Sequence, residues 1–303
     1  MDLSGKVAIV TGSGRGLGLA YGKELARRGA AVVINDVDRA GADSAVAEIA
    51  AAGGRATAVV APVGTSETAG ELVATAVEAF GRLDVLVTNA GILRDKVLWK
   101  MTDEDFDAVI DVHLRGTFTC VREAVLRFRE QGGGGRIICI GSPAGQRGNF
   151  GQTNYSAAKA GIVGMVRTWA MELKRAGITV NAVCPVAATA MTETIPFLAP
   201  HVESMKRGEP LPAIIRREVG MGTPEDAAGI VSFLASDAAA EITGQALSVG
   251  GDRLALWSHP QLTTTAFHDG GWAAEDIARS WDQTFAGSIE SVGEEFPEEV
   301  MPK

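Results

Sequence analysis

Tyr155 and Lys159 stand four residues apart in the run YSAAK, a spacing that puts both on one face of a helix. A free phenol ionises near pH 10, too high for a good base at neutrality. An ammonium beside it favours the phenolate. At ~4 Å and an effective dielectric constant of ~20 the attraction is of order 4 kcal/mol before desolvation, which predicts a phenol pKa lowered by roughly two to three pH units. Such a tyrosine exchanges a proton with an alcohol or carbonyl while another group exchanges hydride. Ser142 lies thirteen residues upstream, in the string GSPAG. Its hydroxyl can donate to the substrate oxygen as negative charge develops there. Taken singly, the pair also suits a plain helix face and the serine a turn. The chemistry depends on their being brought together.

A hydride carrier has its own signal. The string TGSGRGLG, Thr11 to Gly18, follows an apolar run and precedes a helical pattern. Gly12, Gly14, Gly16 and Gly18 let the backbone turn tightly and approach a pyrophosphate, with Arg15 and Leu17 in the same turn. The helix that follows offers free N–H groups and its positive dipole end. In a chain of 37 glycines the string alone is weak; placed between strand and helix it is strong. The second strand ends at Asp36 in AAVVIND. A carboxylate there takes both ribose hydroxyls of NAD and repels the 2′-phosphate of NADP. Arg15 pulls the other way, since it can pair with that phosphate. NAD is favoured over NADP. The fourth strand ends in Asn89, Ala90 and Gly91, where an asparagine can hold the sheet's backbone and wall the cofactor crevice, although the string also suits a loop start.

These groups need a scaffold that gathers them. Apolar runs recur at 7–11, 31–35, 56–61, 84–89, 136–141, 179–184 and 246–249, rich in Val, Ile or Ala and without polar alternation. That pattern suits strands buried on both faces of a parallel sheet. Helical stretches at 17–28, 40–52, 68–80, 102–130, 155–176 and 224–236 alternate with them. Repeated β–α alternation implies right-handed crossovers and an α/β, doubly wound parallel sheet of Rossmann type. Ligands of such sheets sit outside the carboxyl ends of the strands, where all the strings above fall. The expected organisation is one catalytic domain over residues 1–251, with a substrate loop at 186–222, and a C-terminal extension at 252–303.

Bulk properties narrow the class. The chain has 303 residues, 46% hydrophobic and 21% charged, which is ordinary globular composition. No apolar run reaches the length of a membrane span, and no secretory signal is visible at the start, so a cytoplasmic protein is expected. A net charge of −9 without a basic run argues against nucleic acid. Cys120, Cys139 and Cys184 are far apart and read as buried free thiols. His113, His201, His259 and His268 show no metal-ligand spacing, so no metal is expected.

In this order and spacing, TGSGRGLG, TNAG, Ser142 and YSAAK resemble the short-chain dehydrogenase/reductase family, from about Lys6 to about Gly251. The resemblance implies Ser142 as oxyanion-type donor, Tyr155 as acid/base, and Lys159 as the residue that lowers the tyrosine pKa and holds the nicotinamide ribose. The longer strings VVIND, AGILRDK, DEDFD, VHLRGTF and GNFGQTNYSAAKAG are similar to the (3R)-hydroxyacyl-CoA dehydrogenase region of peroxisomal multifunctional enzymes, also called a 17β-hydroxysteroid dehydrogenase. They imply oxidation of a bulky 3-hydroxyacyl thioester with NAD as acceptor. Three positions depart from the family pattern. His113 stands where an asparagine usually completes a proton relay; a relay role and a packed helix histidine are both open. Pro62-Val63 replaces Asp-Val, removing the usual adenine contact of the aspartate and leaving Val63. Pro185-Val186 replaces Pro-Gly, leaving the Val186 backbone and Thr189 to hold nicotinamide.

The loop at 186–222 carries Pro196, Pro200, Pro210 and Pro212 and no strong period. Met191, Ile195, Phe197, Leu198, Met205, Leu211 and Ile214 offer either an apolar wall for an acyl chain or sterol, or simple anchors. Lys206, Arg207, Arg216 and Arg217 could meet CoA phosphates, or as easily form a solvated face, the commoner fate of such charges. The extension holds Trp257, Trp272 and Trp281 and ends in EEFPEEVMPK, read as a frayed tail. Its tryptophans suit a contact in a homodimer or homotetramer, or a satellite core. Three functions stay open: a 3-hydroxyacyl-CoA dehydrogenase, a dehydrogenase of a free hydroxysteroid or other secondary alcohol, and a non-catalytic dinucleotide-binding protein.

Overall fold

The computed structural model describes residues 1–188 and 198–300. Seven parallel strands form at the expected places: β1 (Val7–Thr11), β2 (Ala31–Asp36), β3 (Arg55–Val60), β4 (Val85–Thr88), β5 (Gly135–Ile140), β6 (Ile178–Pro185) and β7 (Ala246–Gly250). An eighth, β8 (Arg253–Trp257), pairs antiparallel with β7. The order is β3-β2-β1-β4-β5-β6-β7-β8. Chain order reverses between β1 and β4, which opens a crevice at their carboxyl ends.

Helices cover both faces because the strands bury both. On one face Tyr21 and Leu25 of α1 (Gly16–Arg27), Ala45 and Ile49 of α2 (Arg39–Ala51) and Val231 and Leu234 of α9 (Ala228–Ala235) pack on Val32, Ile34, Val85 and Val87. On the other, Leu72 of α3 (Ser66–Phe80), Phe128 of α5 (Gly116–Gln131) and Ile162 and Val166 of α7 (Thr153–Leu173) pack on Ile9, Val33, Leu86 and Ile137. Burying side chains of this size stabilises the fold by roughly 1.5–3 kcal/mol each.

The expected helix at 102–130 is interrupted. α4 (Asp103–Val109), capped by Thr102 and Asp105 in a reciprocal box, runs into a π-helical turn, Ile110–Arg115, before α5 begins. The Gly116 N–H reaches the Asp111 carbonyl, so one extra residue is held in the turn, and His113 lies inside it. The substrate loop contains α8 (Ala199–Lys206) and a second π turn at Ile215–Val219. There Leu198, Val202, Leu211, Ile215, Val219 and Met221 form a third cluster, against which Met205 and Ile214 pack. Met191, Ile195 and Phe197 lie outside the described residues.

After β8 the extension forms α10 (Ala274–Thr284). Its tail, read as frayed, docks at Phe296 and Val300, which pack on the third cluster; residues 301–303 lie outside the described residues. Trp257 packs on the second core cluster, whereas Trp272 and Trp281 are exposed and α10 buries none of its residues. All three cysteines are buried and free. Among the described residues no helix is long and apolar enough to cross a membrane.

Candidate active site

At the end of β1 the chain turns through Gly12 at φ 60°. A Cβ there would come within 2.7 Å of Ala90 Cα, so the turn and the β4 loop meet backbone to backbone. Thr11 Oγ1 accepts the N–H groups of Asn89 (2.9 Å) and Ala90 (3.0 Å). Asn89 Nδ2 in turn donates to the carbonyls of Thr11 (3.0 Å) and Gly12 (2.9 Å). Asn89 therefore clamps the glycine turn. A Cβ on Gly18 would overlap the Gly12 carbonyl, which seats α1 directly against the turn. Arg15 caps α1 with no side-chain bond, and no acidic residue stands in the first turn. The orphan N–H groups there, with the helix dipole behind them, fit a pyrophosphate.

Asp36 ends β2 nearly buried, at 9% exposure. Its Oδ2 accepts from Gly14 N at 2.9 Å and its Oδ1 from Asp38 N at 3.1 Å. A fixed carboxylate with free lone pairs beside the glycine turn fits a ribose diol. Arg15 is exposed and makes no ion pair among the described residues. The cradle thus fits a dinucleotide.

Across the crevice, Ser142 follows β5 and caps α6 (Pro143–Arg147), its Oγ accepting from Ala144 N at 3.2 Å. Gly145 lets α6 lie on α7: a Cβ would stand 2.6 Å from the backbone carbon of Lys159. Buried Asn154 fixes the start of α7, donating to the carbonyls of Arg94 (3.1 Å) and Asp105 (3.0 Å) and accepting from Tyr155 N (2.8 Å). One turn on, Lys159 Nζ donates to the Ile140 carbonyl at 2.6 Å and stands 5.5 Å from the Tyr155 ring centre.

Burial dominates the electrostatics. It pushes the Tyr155 phenol up to about 12, against the lowering pull of the Ser142 hydroxyl. It pushes the Lys159 ammonium down to about 8. For the protein alone the tyrosine is thus raised rather than lowered as expected: desolvation is the largest cause, and the ammonium donates its bond to Ile140. His113, also buried, is pushed down to about 3 by desolvation and by Lys159, and is neutral near pH 7. Its ring meets Tyr155 edge-on at 5.2 Å and 88°. Its Nε2 lies 3.0 Å from Ile92 N and 2.8 Å from Ile92 O, accepting or donating by tautomer. Its Nδ1 is buried without a partner. A Cβ on Gly91 would overlap His113 Cε1, so this glycine makes room for the ring.

Comparison with known proteins gives the family. The profile described as short chain dehydrogenase covers residues 6–196. The chain belongs to this family. The hydroxyacyl-CoA dehydrogenase ChsB1 of Mycobacterium tuberculosis is 43% identical over 94% of this chain and 90% of its own. A 3-oxoacyl-[acyl-carrier-protein] reductase of Synechocystis is 46% identical over 82% of this chain and 97% of its own. The mouse peroxisomal multifunctional enzyme type 2 is 45% identical over 64% of this chain and 27% of its own. The family resemblance of the motifs is thus borne out. As a short-chain dehydrogenase the protein is an oxidoreductase that works with a nicotinamide cofactor.

Elsewhere the dehydrogenase disperses some of the expected residues. Val63 is half-buried and faces Gly116, where a Cβ would meet its Cγ2 at 2.9 Å. Pro185 ends β6, and Val186 N donates to Val249 O at 2.8 Å. Thr189 lies outside the described residues. Leu198 and Leu211 are consumed by the loop's own cluster. Of the four loop cations, Lys206, Arg207 and Arg216 pair with Glu203, Glu209, and Asp226 and Asp252. The motifs did not single out Thr11, Gly145 or Asn154. Thr11 and Asn154 stand inside the quoted strings, beside a glycine and beside the tyrosine, which is the signal that points to them.

Proposed function

We propose that this dehydrogenase oxidises a (3R)-3-hydroxyacyl-CoA with NAD, using Ser142, Tyr155 and Lys159. The observation that carries the reading is the meeting of Tyr155 with Ser142, Lys159 and His113 at the sheet edge that also holds the Asp36 carboxylate. NAD held by the glycine turn and Asp36 would supply the hydride acceptor for the alcohol carbon. Ser142 donates to the substrate oxygen, and Tyr155 takes the hydroxyl proton. Lys159, anchored on Ile140, would favour the phenolate and hold the nicotinamide ribose. His113 positions Tyr155 by its edge contact and ties α5's approach to the β4 loop through Ile92. Its unpaired Nδ1 suits a water on a proton route beside Lys159.

The CoA thioester is supported by extent of similarity. The likeness to ChsB1 runs over 94% of this chain, whereas the acyl-carrier-protein reductase is matched over 97% of its length and still covers only 82% of it. The reductase therefore has little to correspond to the extension. Arg217, exposed in the loop, is available to a CoA phosphate. The exposed apolar residues of α10, Ile277 and Trp281, support a homo-oligomer. The test is a substrate panel read at the reduced-nicotinamide absorbance. Faster turnover of a (3R)-hydroxyacyl-CoA than of a 17β-hydroxysteroid, with NAD ahead of NADP, agrees with the reading. Turnover of free alcohols alone rejects the thioester. Binding of NAD without any turnover would leave only a dinucleotide-binding protein.

A further inference from the structure

The chemistry above uses no residue beyond Arg217, yet the chain goes on through β8 and α10 and comes back across the sheet edge. Its segment 290–295 lies on α6, the helix that begins at Ser142. Arg147, the last residue of α6, makes the contact. Its carbonyl accepts from Gly293 N at 2.8 Å. Its Nε donates to Gly293 O at 3.0 Å, and its Nη2 to Ser291 O at 3.1 Å and Ser291 Oγ at 3.3 Å. Glu290 and Glu295 flank the guanidinium at 4.0 and 3.6 Å. Those two carboxylates are exposed and hold little by themselves. The charge-assisted bonds to backbone oxygens fix the segment, because a planar guanidinium satisfies several acceptors in one geometry.

Immediately past this clasp, Phe296 and Val300 pack on the third cluster of Leu198, Val202, Leu211, Ile215, Val219 and Met221, against which Val186 and Ala188 also pack. One stretch of chain thus grips the serine-bearing helix at one end and the segment 198–221 at the other. Val186 and Ala188 join that segment to the carboxyl end of β6, on the rim of the crevice.

We propose that Arg147 is a positioning residue: through the strap 290–300 it holds the 198–221 segment against the substrate face, and so sets how large an acyl group the site discriminates. The strap stands on its own contacts; only the identity of the acyl group rests on the proposed function. The full-length protein with Arg147→Ala or Phe296→Ala is compared with wild type by amide hydrogen exchange across 198–221. The second readout is the ratio of kcat/KM for a long-chain over a short-chain (3R)-3-hydroxyacyl-CoA. Exchange is expected to rise about tenfold in both variants and the ratio to fall about tenfold, as loss of ordered lid contacts requires. Arg147→Lys should not restore the ratio, since an ammonium cannot reproduce the fork. A wild-type ratio in both variants overturns the proposal, whatever the exchange does. Phe296→Ala keeps the test decisive if Arg147→Ala fails to fold. If wild type turns over no acyl-CoA, the substrate reading fails by itself. The ratio is then taken between the largest and smallest alcohols oxidised, with the same expectation.

Discussion

Lys159→Met is expected to slow alcohol oxidation about 100-fold near pH 6–7, and the size follows from the site. The ammonium stands 5.5 Å from the Tyr155 ring centre. At that distance and an effective dielectric constant of ~20, its attraction for a phenolate is about 3 kcal/mol, or roughly two pH units of phenol ionisation. Burial holds the phenol at about 12. Without the charge, the phenolate fraction below about pH 8 falls about 100-fold. Because the deprotonated phenol is the base for oxidation, the rate rises with pH in both proteins, and the variant's deficit is largest below pH 8 and shrinks above it. Burial pushes Lys159 itself down to about 8, so its help is fullest below that pH and fades as pH climbs through it. Initial rates with saturating NAD from pH 6 to pH 10 measure both effects. A loss under about tenfold near pH 6–7, unchanged toward pH 10, would refute the electrostatic role of Lys159.

Other perturbations reach other parts of the site. Ser142→Ala should lower kcat about 100-fold by removing a donor to the developing oxyanion, and should cost about 1 kcal/mol of stability through the lost cap on α6; kinetics and thermal melts separate the two. Asp36→Ser should raise KM for NAD about 10- to 100-fold, the worth of one or two charge-assisted bonds, while use of NADP improves; unchanged cofactor preference would contradict the ribose role. Gly91→Ala should destabilise the protein by about 1–3 kcal/mol because the new methyl overlaps His113, and His113→Ala in the same chain should recover part of that loss, as a double-mutant cycle in denaturant reports.

The seven parallel strands were legible because each is buried on both faces and written as an unalternating apolar run. β8 was not: Leu254 and Leu256 are exposed, and five residues after a Gly-Gly-Asp turn resemble a loop. The π turn at Ile110–Arg115 escaped because one extra residue scarcely disturbs a helical period, though it decides where His113 points. The meeting of Ser142, Tyr155 and Lys159 could be read from order and spacing, since strand ends of such a sheet share an edge. The direction of the Tyr155 pKa could not, because burial and the Lys159–Ile140 bond are products of packing. The docked tail was misread for a similar reason: Phe296 and Val300 sit among acids and a proline, and their partners lie far back in the sequence.

The central claim is an NAD-dependent oxidation through Tyr155, and one measurement tests it most directly. Wild type and Tyr155→Phe are followed at the reduced-nicotinamide absorbance with NAD and a (3R)-3-hydroxyacyl-CoA. The account predicts steady reduction of NAD by wild type, slower with NADP, and a loss of at least about 1,000-fold in the variant with NAD binding retained. Equal turnover by Tyr155→Phe, or a wild type that reduces neither cofactor with this substrate, would contradict it.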